Sequence, residues 1–423
     1  MCAKTGCYDL PVAENRELLH VVTTLYRYMI DANNVAIFMS DSVRWDSLPE
    51  SVADQGVALK TVASSLYTPT AHASMLTGLY LNNHSVRGFS DSLPSTQSTI
   101  LDSFPNSGLS NVGGTFDDPV QGDFFNETIY NTLLKDYDRT SLSEIEEPFA
   151  WFMRDPGGHA PYGGWDLSLN VSESVPSFYD RCAGDENKMR DLYSKGLQDS
   201  VDRFEKYVLE PLEDRGILND TLIIFLSDHG EQLGEYGHAG QSFPATPELV
   251  YVPSVFIHPD IEPPQDEGIF RHVDLAPTIA GLLNREKPTP VEGKNVFESS
   301  MPKQGYSLYD RPFPSFRNTF SYQIRSTWDS GGGYVLNTSS LWSKLKLTAG
   351  YLAKVPAGRE LRRNLNPKGV KLLLESERTW GDPNIAKDEA IRDLRELDFN
   401  YGQKTNIEMD EDVQENLEDL GYL

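Results

Sequence analysis

The sequence has little lysine, few cysteines and no long apolar run, and each shortage excludes a class of protein. Three cysteines in 423 residues, with Cys2 and Cys7 close to the start, exclude a disulfide framework and a Cys-x-x-Cys metal site. No apolar stretch reaches the roughly 20 residues of a membrane span, so we expect no transmembrane segment. No apolar signal segment follows the first residues either, so we expect a cytoplasmic location.

Acidic residues outnumber basic residues by a wide margin. The chain has 37 Lys and Arg against 63 Asp and Glu, a net charge of −26, and only 16 of the basic residues are lysine. An acidic, lysine-poor surface stays hydrated in molar salt, where a Debye length of about 3 Å screens its self-repulsion. The composition favours a halophilic protein over an acidic mesophilic one. It also argues against binding to nucleic acid or to an anionic membrane, because the average surface repels phosphate.

Two short apolar runs end in the same way. NNVAIFMSD (33–41) and TLIIFLSDHG (221–230) both place Ser-Asp directly after the apolar residues. This is typical of a buried parallel strand with a functional carboxylate at its C-terminal end. An apolar run that opens 148–164 and another at 251–259 continue an alternation of strands with helical segments. The pattern predicts an α/β fold with a mostly parallel central sheet flanked by helices on both faces.

The two ends of the chain differ in character from the middle. Residues 15–30 have apolar positions at helical spacing, which predicts an N-terminal helical extension over 1–32, before a catalytic domain at 33–300. In residues 301–423, alternating Tyr, Ser, Trp and Arg predict a small C-terminal α+β subdomain. The last nineteen residues carry seven acids and no base, and the apolar spacing of the terminal LEDLGYL predicts a short acidic terminal helix.

One basic island interrupts the acidic chain. A run of this kind is usually a solvated face, but it could also rim a site and attract an anionic substrate. Its members are Lys354, Arg359, Arg362, Arg363, Lys368 and Lys371.

Four side chains at strand and helix ends form a set suited to a metal ion. Asp41 ends the first Ser-Asp strand, Asp228 and His229 end the second, and Thr68 lies at the start of a helix in SLYTPTAHASMLTG. Two carboxylates, a hydroxyl and an imidazole suit one divalent cation, namely Ca²⁺, Mn²⁺, Mg²⁺ or Zn²⁺. A hydroxyl bound to such a cation loses its proton more easily, which makes Thr68 a candidate nucleophile. The alternative is a structural Asp-His pair that holds a loop.

Five segments, in this order along the chain, resemble the sulfatase family of the alkaline phosphatase superfamily, and the acidic composition makes the resemblance haloarchaeal in type. The resemblance implies the α/β fold described above, a divalent metal ion, and an enzyme that acts on sulfate or phosphate esters. The segments are FMSDSVRWDSL, YTPTAHASMLTGLYLNNH, RDPGGHAPY, LSDHGEQLGEYGHAG and HVDLAPTIAGLL.

The chain departs from the sulfatase pattern at the nucleophile and beside it. Thr68 falls on the family's Cys or Ser, which is matured to formylglycine, while Thr70 falls on its Pro and His72 on its Arg. Oxidation of Thr would give a ketone, so no formylglycine is expected. An unmodified Thr is instead similar to the nucleophile of the phosphodiesterase and phosphoglycerol-transferase branches. Ser42 stands where many calcium sulfatases have a second Asp, which leaves the ligand set similar to that of single-metal phosphonate hydrolases.

Further residues are predicted to support the chemistry. His72 lies one helical turn after Thr68 and could orient that hydroxyl or neutralise developing charge. His159, in the Gly-rich RDPGGHAPY loop, is placed by the resemblance against the leaving group or a peripheral oxygen of the ester, and Arg154 before it is a candidate anion contact. His238 could contact the same oxygens or bind a second metal ion instead. Each histidine has a structural alternative, and a structural role is the preferred interpretation for His84, His272 and Asp274.

Three functions remain open at this point. The first is a metal-dependent hydrolase of sulfate or phosphate esters. The second is a transferase that passes the group through a Thr68 adduct to an acceptor other than water. The third is a non-catalytic binding protein that keeps the fold, which the complete ligand set disfavours. The substrate is predicted to be a small anionic ester, with a sulfated or phosphorylated glycan among the candidates.

Overall fold

The computed structural model describes residues 29–111, 137–162, 175–241, 243–313, 319–353, 358–364, 366–399, 401 and 405–406. All but the last two residues of the predicted N-terminal helix lie outside these ranges, and so do Lys354 and the predicted acidic terminal helix. The division into 1–32, 33–300 and 301–423 stays a prediction.

The described strands, in chain order, are β1 (Asn34–Ser40), β2 (Val57–Val62), β3 (Asp91–Ser92), β4 (Asn106–Asn111), β5 (Asp138–Arg139), β6 (Phe149–Asp155), β7 (Thr221–Leu226), β8 (Gln232–Leu233), β9 (Ala239–Gly240), β10 (Tyr251–Ile257), β11 (Phe270–Arg271), β12 (Gly305–Phe313), β13 (Phe320–Trp328), β14 (Gly332–Asn337), β15 (Glu377–Gly381) and β16 (Thr405–Asn406). The described α-helices are α1 (Glu50–Ala53), α2 (Thr68–Thr77), α3 (Leu81–His84), α4 (Val175–Cys182), α5 (Glu186–Phe204), α6 (Glu210–Asp214), α7 (Pro247–Val250), α8 (Leu275–Leu282), α9 (Leu341–Ala353), α10 (Gly358–Asn364), α11 (Pro367–Leu374) and α12 (Lys387–Glu396).

A mixed but mostly parallel sheet forms the centre of the molecule. Within the described residues it has eight strands, in the order β11-β2-β10-β7-β1-β6-β4-β5. β1 is parallel to both of its neighbours, with Ile37 opposite Phe152 on β6 and opposite Ile224 on β7. β10 is antiparallel to β2 and to β7, so β2 points the same way as β1. The sequence prediction of a mostly parallel sheet is confirmed.

Helices cover both faces of this sheet because the central strands are apolar on both sides. Side chains alternate along a strand, so Ile37 and Phe38 of β1 point to opposite faces. Phe38 belongs to a core that includes Phe204 of α5, and their rings lie 5.3 Å apart. Ile37 belongs to the core on the other face, together with side chains of α2 and α8. The predicted arrangement of helices on both faces is therefore confirmed.

The C-terminal part forms a smaller antiparallel sheet, in the order β12-β13-β14-β15, with helices packed against it. This agrees with the predicted α+β appendage. The Leu308 amide of β12 donates to the Ser64 carbonyl over 2.8 Å, which joins the appendage to the segment that follows β2. Helices α10 and α11 pack against α9, and we call these three helices the helical cap. No helix in the described part of the chain combines the length and the apolar character that a bilayer crossing requires.

Candidate active site

Three parallel strands deliver the predicted ligands to one edge of the central sheet. Asp41 directly follows β1, and Asp228 lies two residues beyond β7. Thr68 follows β2 by six residues and is the first residue of α2. The carboxyl ends of parallel strands share an edge, where ligands of open α/β sheets bind. All three side chains are buried there.

The predicted metal ligands converge at this edge. Asp41, Asp228 and His229 each offer a ligand atom, and these atoms lie within 4.8 Å of one another. The His229 Nε2 lies 3.4 Å from Asp228 Oδ2 and 3.9 Å from Asp41 Oδ1. The Thr68 hydroxyl lies 3.2 Å from the same nitrogen. Residues that are up to 188 positions apart in the sequence therefore form one compact O/O/O/N set.

The charges of the two carboxylates are balanced unequally. Arg154 forms a buried ion pair with Asp41. Burial alone would raise the pKa of Asp41, but Arg154, His159 and His229 hold it well below its usual value. Burial, together with the negative charge of Asp41, raises the pKa of Asp228 to about 6. One guanidinium thus compensates one carboxylate and leaves the second in an unfavourable environment.

A divalent cation fits this arrangement. The Asp228 Oδ2 atom is buried, and it has no hydrogen-bond partner of normal geometry among the described residues. A buried oxygen left in this way costs about 1–3 kcal/mol. A cation between the two carboxylates would satisfy that oxygen and relieve their repulsion, and carboxylate oxygens with one imidazole are ligands that such ions accept.

Ser42 and a glycine pair fix the two carboxylates in place. The Ser42 amide donates to Asp228 Oδ1 over 3.2 Å, and its hydroxyl donates to Asp41 Oδ1 over 2.8 Å. Ser42 adopts a left-handed φ of 63°, a conformation that non-glycine residues seldom keep unless their surroundings impose it. Gly157 and Gly158 approach so closely that a Cβ on either would collide with the backbone of Asp41 or Ser42. Ser42, which takes the place of the second Asp, therefore links the two carboxylates through its hydrogen bonds.

His72 and His159 are buried near these groups, and both are neutral at neutral pH. Burial, reinforced by the charge of Arg154, lowers the pKa of His72 to about 3. Burial and Arg154 lower that of His159 to about 4, although Asp41 opposes the shift. The His72 Nε2 has no hydrogen-bond partner among the described residues. The His159 Nδ1 lies 2.5 Å from the Ala160 carbonyl.

His238 lies against the helical cap. Its Nε2 is 3.0 Å from the Gly369 carbonyl, and its Nδ1 is 3.4 Å from the Tyr351 hydroxyl. Both ring nitrogens are therefore engaged by α9 and α11, and not by the Asp41 and Asp228 cluster. These described contacts attach the loop after Asp228 to the cap, and the contact of His238 with the reacting oxygens stays a prediction.

The sequence analysis missed two residues of the site. Glu231 is fully buried, accepts a hydrogen bond from Tyr162, and has a second oxygen without a partner among the described residues. Burial raises its pKa well above the usual range. Gln241 connects Ser42 and His159, with its amide nitrogen 2.9 Å from the His159 Nε2. The sequence does contain a signal for Glu231, because in SDHGE a second carboxylate follows Asp228 by three residues.

Comparisons with known proteins identify the family of this chain. The family model described as Sulfatase matches residues 33–285. The chain is 31% identical over 416 residues to the low-salt glycan biosynthesis sulfotransferase Agl7 of Haloferax volcanii, an alignment that covers 92% of this chain and 96% of that protein. It is 34% identical over 120 residues to the multifunctional alkaline phosphatase superfamily protein PehA of Trinickia caryophylli, or 27% of this chain and 22% of that protein.

A solved structure shares the fold. The phosphonate monoester hydrolase of Agrobacterium radiobacter superposes with a TM-score of 0.53 at 14% identity, over 80% of this chain and 96% of that one. The haloarchaeal relative also supports the halophilic interpretation of the composition. The family model covers more than half of the chain, and the long relative covers nearly all of it. This chain therefore belongs to the Sulfatase family, whose members are enzymes that act on ester bonds.

Proposed function

We propose that this protein is a metal-dependent hydrolase of sulfate or phosphate esters and that Thr68 is its nucleophile. The observation that carries the proposal is the position of the Thr68 hydroxyl, 3.2 Å from the His229 Nε2 within the Asp41, Asp228 and His229 cluster. The hydroxyl also lies on the first residue of α2, where helix amides stabilise a developing anion.

Asp41, Thr68, Asp228 and His229 are the residues that would hold the cation. When bound, a divalent ion lowers the pKa of a coordinated hydroxyl and withdraws charge from the ester oxygens. The chain's own groups complete the site. Arg154 carries a permanent positive charge beside Asp41, and neutral His72, one turn after Thr68, leaves a nitrogen available for a substrate oxygen.

The proposed reaction has two steps. The Thr68 Oγ1 attacks sulfur or phosphorus, a new O–S or O–P bond forms, and the bond to the leaving-group oxygen breaks. The Thr68 hydroxyl loses its proton to solvent as it attacks, the leaving oxygen takes a proton from the site or from solvent, and we assign His159 to this side. Water then attacks the adduct, the bond between Thr68 Oγ1 and sulfur or phosphorus breaks, sulfate or phosphate is released, and a proton from the attacking water restores the Thr68 hydroxyl. Dividing a hydrolysis into two displacements is the usual gain of a covalent nucleophile.

Transfer to a second substrate is the other candidate function. It is favoured by the relative named a glycan biosynthesis sulfotransferase, which aligns with 92% of this chain. The first displacement would be the same, but a hydroxyl of an acceptor glycan would replace water in the second. The substrate of either reaction is then a sulfated or phosphorylated glycan rather than a simple aryl ester.

The test combines one set of variants with a panel of substrates. We expect Thr68→Val to lose on the order of 10³-fold or more in activity, because Val keeps the branched shape and removes the attacking oxygen. Thr68→Ser should retain part of the activity. Thr70→Val is the matched control on the same helix and should stay active. The panel is an aryl sulfate, a phosphate monoester, a phosphate diester and a phosphonate, each with and without an acceptor saccharide.

Mass spectrometry of the intact chain and of its peptides identifies the adduct and the acceptor. A sulfuryl or phosphoryl group should appear on the peptide that contains Thr68 and disappear in Thr68→Val. Product that forms only when the saccharide is added supports transfer, while product without it supports hydrolysis. A Thr68→Val enzyme with the wild-type rate, alongside an inactive Thr70→Val enzyme, would assign the nucleophile to Thr70 instead.

A further inference from the structure

Positive charge is concentrated in one short part of this acidic chain. Residues 341–374 contain eight Lys and Arg and a single Glu, a net charge of +7, whereas the rest of the chain has 29 basic and 62 acidic residues, a net charge of −33. The described residues of this segment form the helical cap. The basic residues of the segment are Lys344, Lys346, Lys354, Arg359, Arg362, Arg363, Lys368 and Lys371.

The same cap exposes apolar side chains to solvent. Leu341, Trp342 and Leu345 of α9 are 68%, 75% and 42% exposed. Among the described residues, these three are the large hydrophobic side chains that are exposed. Lys346 lies on the same exposed stripe, one turn after Trp342. The opposite stripe of α9, with Leu347 and Tyr351, is buried against the protein. The helix therefore buries Leu347 and Tyr351, beside Lys344, on its inner face, and it also exposes apolar side chains on its outer face over its first two turns.

We propose that the helical cap docks this protein on an anionic lipid surface. A helix that offers Trp and Leu beside Lys has the composition of segments that lie in the membrane interface, where the apolar side chains enter the headgroup boundary and the cations contact lipid phosphates. Lys368 and Lys371 of α11 are exposed on the helix packed next to α9, and they add positive charge to the same surface. Lys371 also pairs with Glu375 over 2.9 Å.

The charge argues against other occupants of this surface. A second copy of the chain would bring two strongly positive caps together, and like charges at an interface disfavour association. A nucleic acid would use the lysines, but it would leave Leu341 and Leu345 in water, because phosphates and sugars offer them no apolar partner. A lipid interface satisfies both kinds of side chain at once.

The concentration of positive charge in the cap also changes what the net charge of the chain predicts about membrane binding. A net charge of −26 predicts repulsion from an anionic membrane, but repulsion beyond a Debye length is screened, and that length is about 8 Å at physiological ionic strength and about 3 Å in molar salt. The surface that meets the membrane then decides the interaction. In molar salt the lysines act only through direct contact, while the contribution of Trp342 and Leu345 persists.

The cap is attached to the catalytic edge of the sheet. His238 contacts Gly369 and Tyr351 of the cap, and it lies on the loop that follows Asp228. A docked cap would therefore hold that loop next to the lipid surface. The docking itself does not depend on the proposed hydrolase or transferase activity, because none of the exposed cap residues belongs to the reacting cluster.

The test is sedimentation of the full chain with lipid vesicles. Vesicles of phosphatidylcholine alone are compared with vesicles that contain an equal part of phosphatidylglycerol, in about 0.5 M and about 2 M NaCl. We expect binding to the anionic vesicles at both salt concentrations and weaker binding to the neutral ones. The double variant Trp342→Ser with Leu345→Ser should lose about tenfold or more in partitioning at both salt concentrations.

The charged arm uses Lys346→Gln with Lys368→Gln. Each neutralised lysine should lower partitioning about fivefold in the lower salt and less in the higher salt. The matched control is Lys303→Gln with Lys387→Gln, two exposed lysines outside the cap, which should bind like the wild type. All of these positions are exposed, so denaturation midpoints should stay unchanged and exclude misfolding as the cause.

Three results would overturn the proposal. The first is an absence of vesicle binding by the wild type at either salt concentration. The second is binding that the Trp342→Ser and Leu345→Ser variant retains in full. The third is a concentration-dependent dimer, or a complex with a single-stranded oligonucleotide, that forms in place of vesicle binding and is lost in the same cap variants. The last result would assign the cap to a second copy or to a nucleic acid.

Discussion

The carboxyl edge of the central sheet and the helices beside it both bury histidines and carboxylates. We call helices α2, α3 and α8, with the residues that flank them, the helical layer. The two regions differ in the hydrogen-bond partners that these buried side chains have. In the helical layer, His84 accepts from the Val86 amide over 3.1 Å and lies 3.0 Å from the Ser74 hydroxyl. Asp274 there accepts two bonds from Arg271. At the edge, one oxygen of Asp228 and one nitrogen of His72 have no hydrogen-bond partner of normal geometry among the described residues.

This difference separates structural polar groups from functional ones. A buried polar atom without a partner destabilises the fold by about 1–3 kcal/mol, and native proteins keep few of them. For His84 and Asp274 the fold supplies the hydrogen-bond partners itself. At the edge, the proposed function assigns the unpartnered atoms of Asp228 and His72 to a cation and a substrate, and that makes the two regions experimentally distinguishable.

The sharpest comparison replaces one Asp in each region. Asp228→Asn should lower activity on the order of 10³-fold, because it removes a charged ligand at the reacting centre. Without metal, its free energy of unfolding should stay equal or rise, since one of two repelling buried carboxylates is neutralised. Asp274→Asn should do the reverse: it should lower the free energy of unfolding by about 3 kcal/mol, because Arg271 loses its charged partner, and leave the activity per folded molecule intact.

Chemical denaturation in chelator, combined with initial rates in metal, measures both sides of this comparison. The comparison would fail if Asp228→Asn destabilised the metal-free protein as much as Asp274→Asn does. It would also fail if the two variants lost the same fraction of activity.

Metal removal should affect the edge alone. A divalent ion at a hundredfold excess over its dissociation constant should stabilise the folded chain by about 2.7 kcal/mol. The increase should be absent in Asp228→Asn and preserved in Asp274→Asn, because only the first change removes a ligand. Denaturation with and without Mn²⁺, Mg²⁺, Ca²⁺ or Zn²⁺ measures the shift and ranks the ions. An equal shift in both variants would move the metal away from the Asp41 and Asp228 cluster.

At Glu231, shortening the side chain should lower activity more than replacing the carboxyl with an amide does. Burial raises its pKa well above the usual range, which favours the protonated carboxyl, a group with the same charge as an amide. Glu231→Gln keeps the acceptor for Tyr162 and should stay within about threefold of wild-type activity. Glu231→Ala removes that acceptor beside Ser42, and outer contacts of this kind commonly contribute 10–100-fold. Equal losses in both variants would indicate that ionised Glu231 takes a direct part.

The sequence was informative where chemistry and strand ends coincide. Asp41 and Asp228 follow apolar runs, and parallel strands end at one edge, so their meeting with Thr68 could be predicted. The role of His238 could not, because its partners Tyr351 and Gly369 are more than 110 residues away and belong to helices whose packing no local pattern specifies.

The exposure of apolar side chains on the outer face of α9 could not be predicted from the sequence, for a related reason. LWSKLKL contains apolar residues on every side of the helix, and which of them stay in water is decided by the neighbours that α9 acquires in the folded chain. Local spacing predicts a helix, but it does not say which stripe is covered.

The smallest expected effect is the pH dependence of the helical layer. Burial lowers the pKa of His84 and of His272 to about 3, against 6.5 for an ordinary histidine. Between these values the unfolded chain binds more protons than the folded chain, so the free energy of unfolding falls as the pH falls. From about pH 7.5 to about pH 5.5 the loss is about 1.3 kcal/mol for each histidine.

His84→Asn keeps an acceptor for the Val86 amide and removes the titrating ring, so it should reduce the pH dependence by that amount, and His272→Asn should do so again. Urea denaturation at the two pH values measures the slopes, and a wild-type stability that is flat or rising toward pH 5.5 would show that these rings do not stay neutral in the fold.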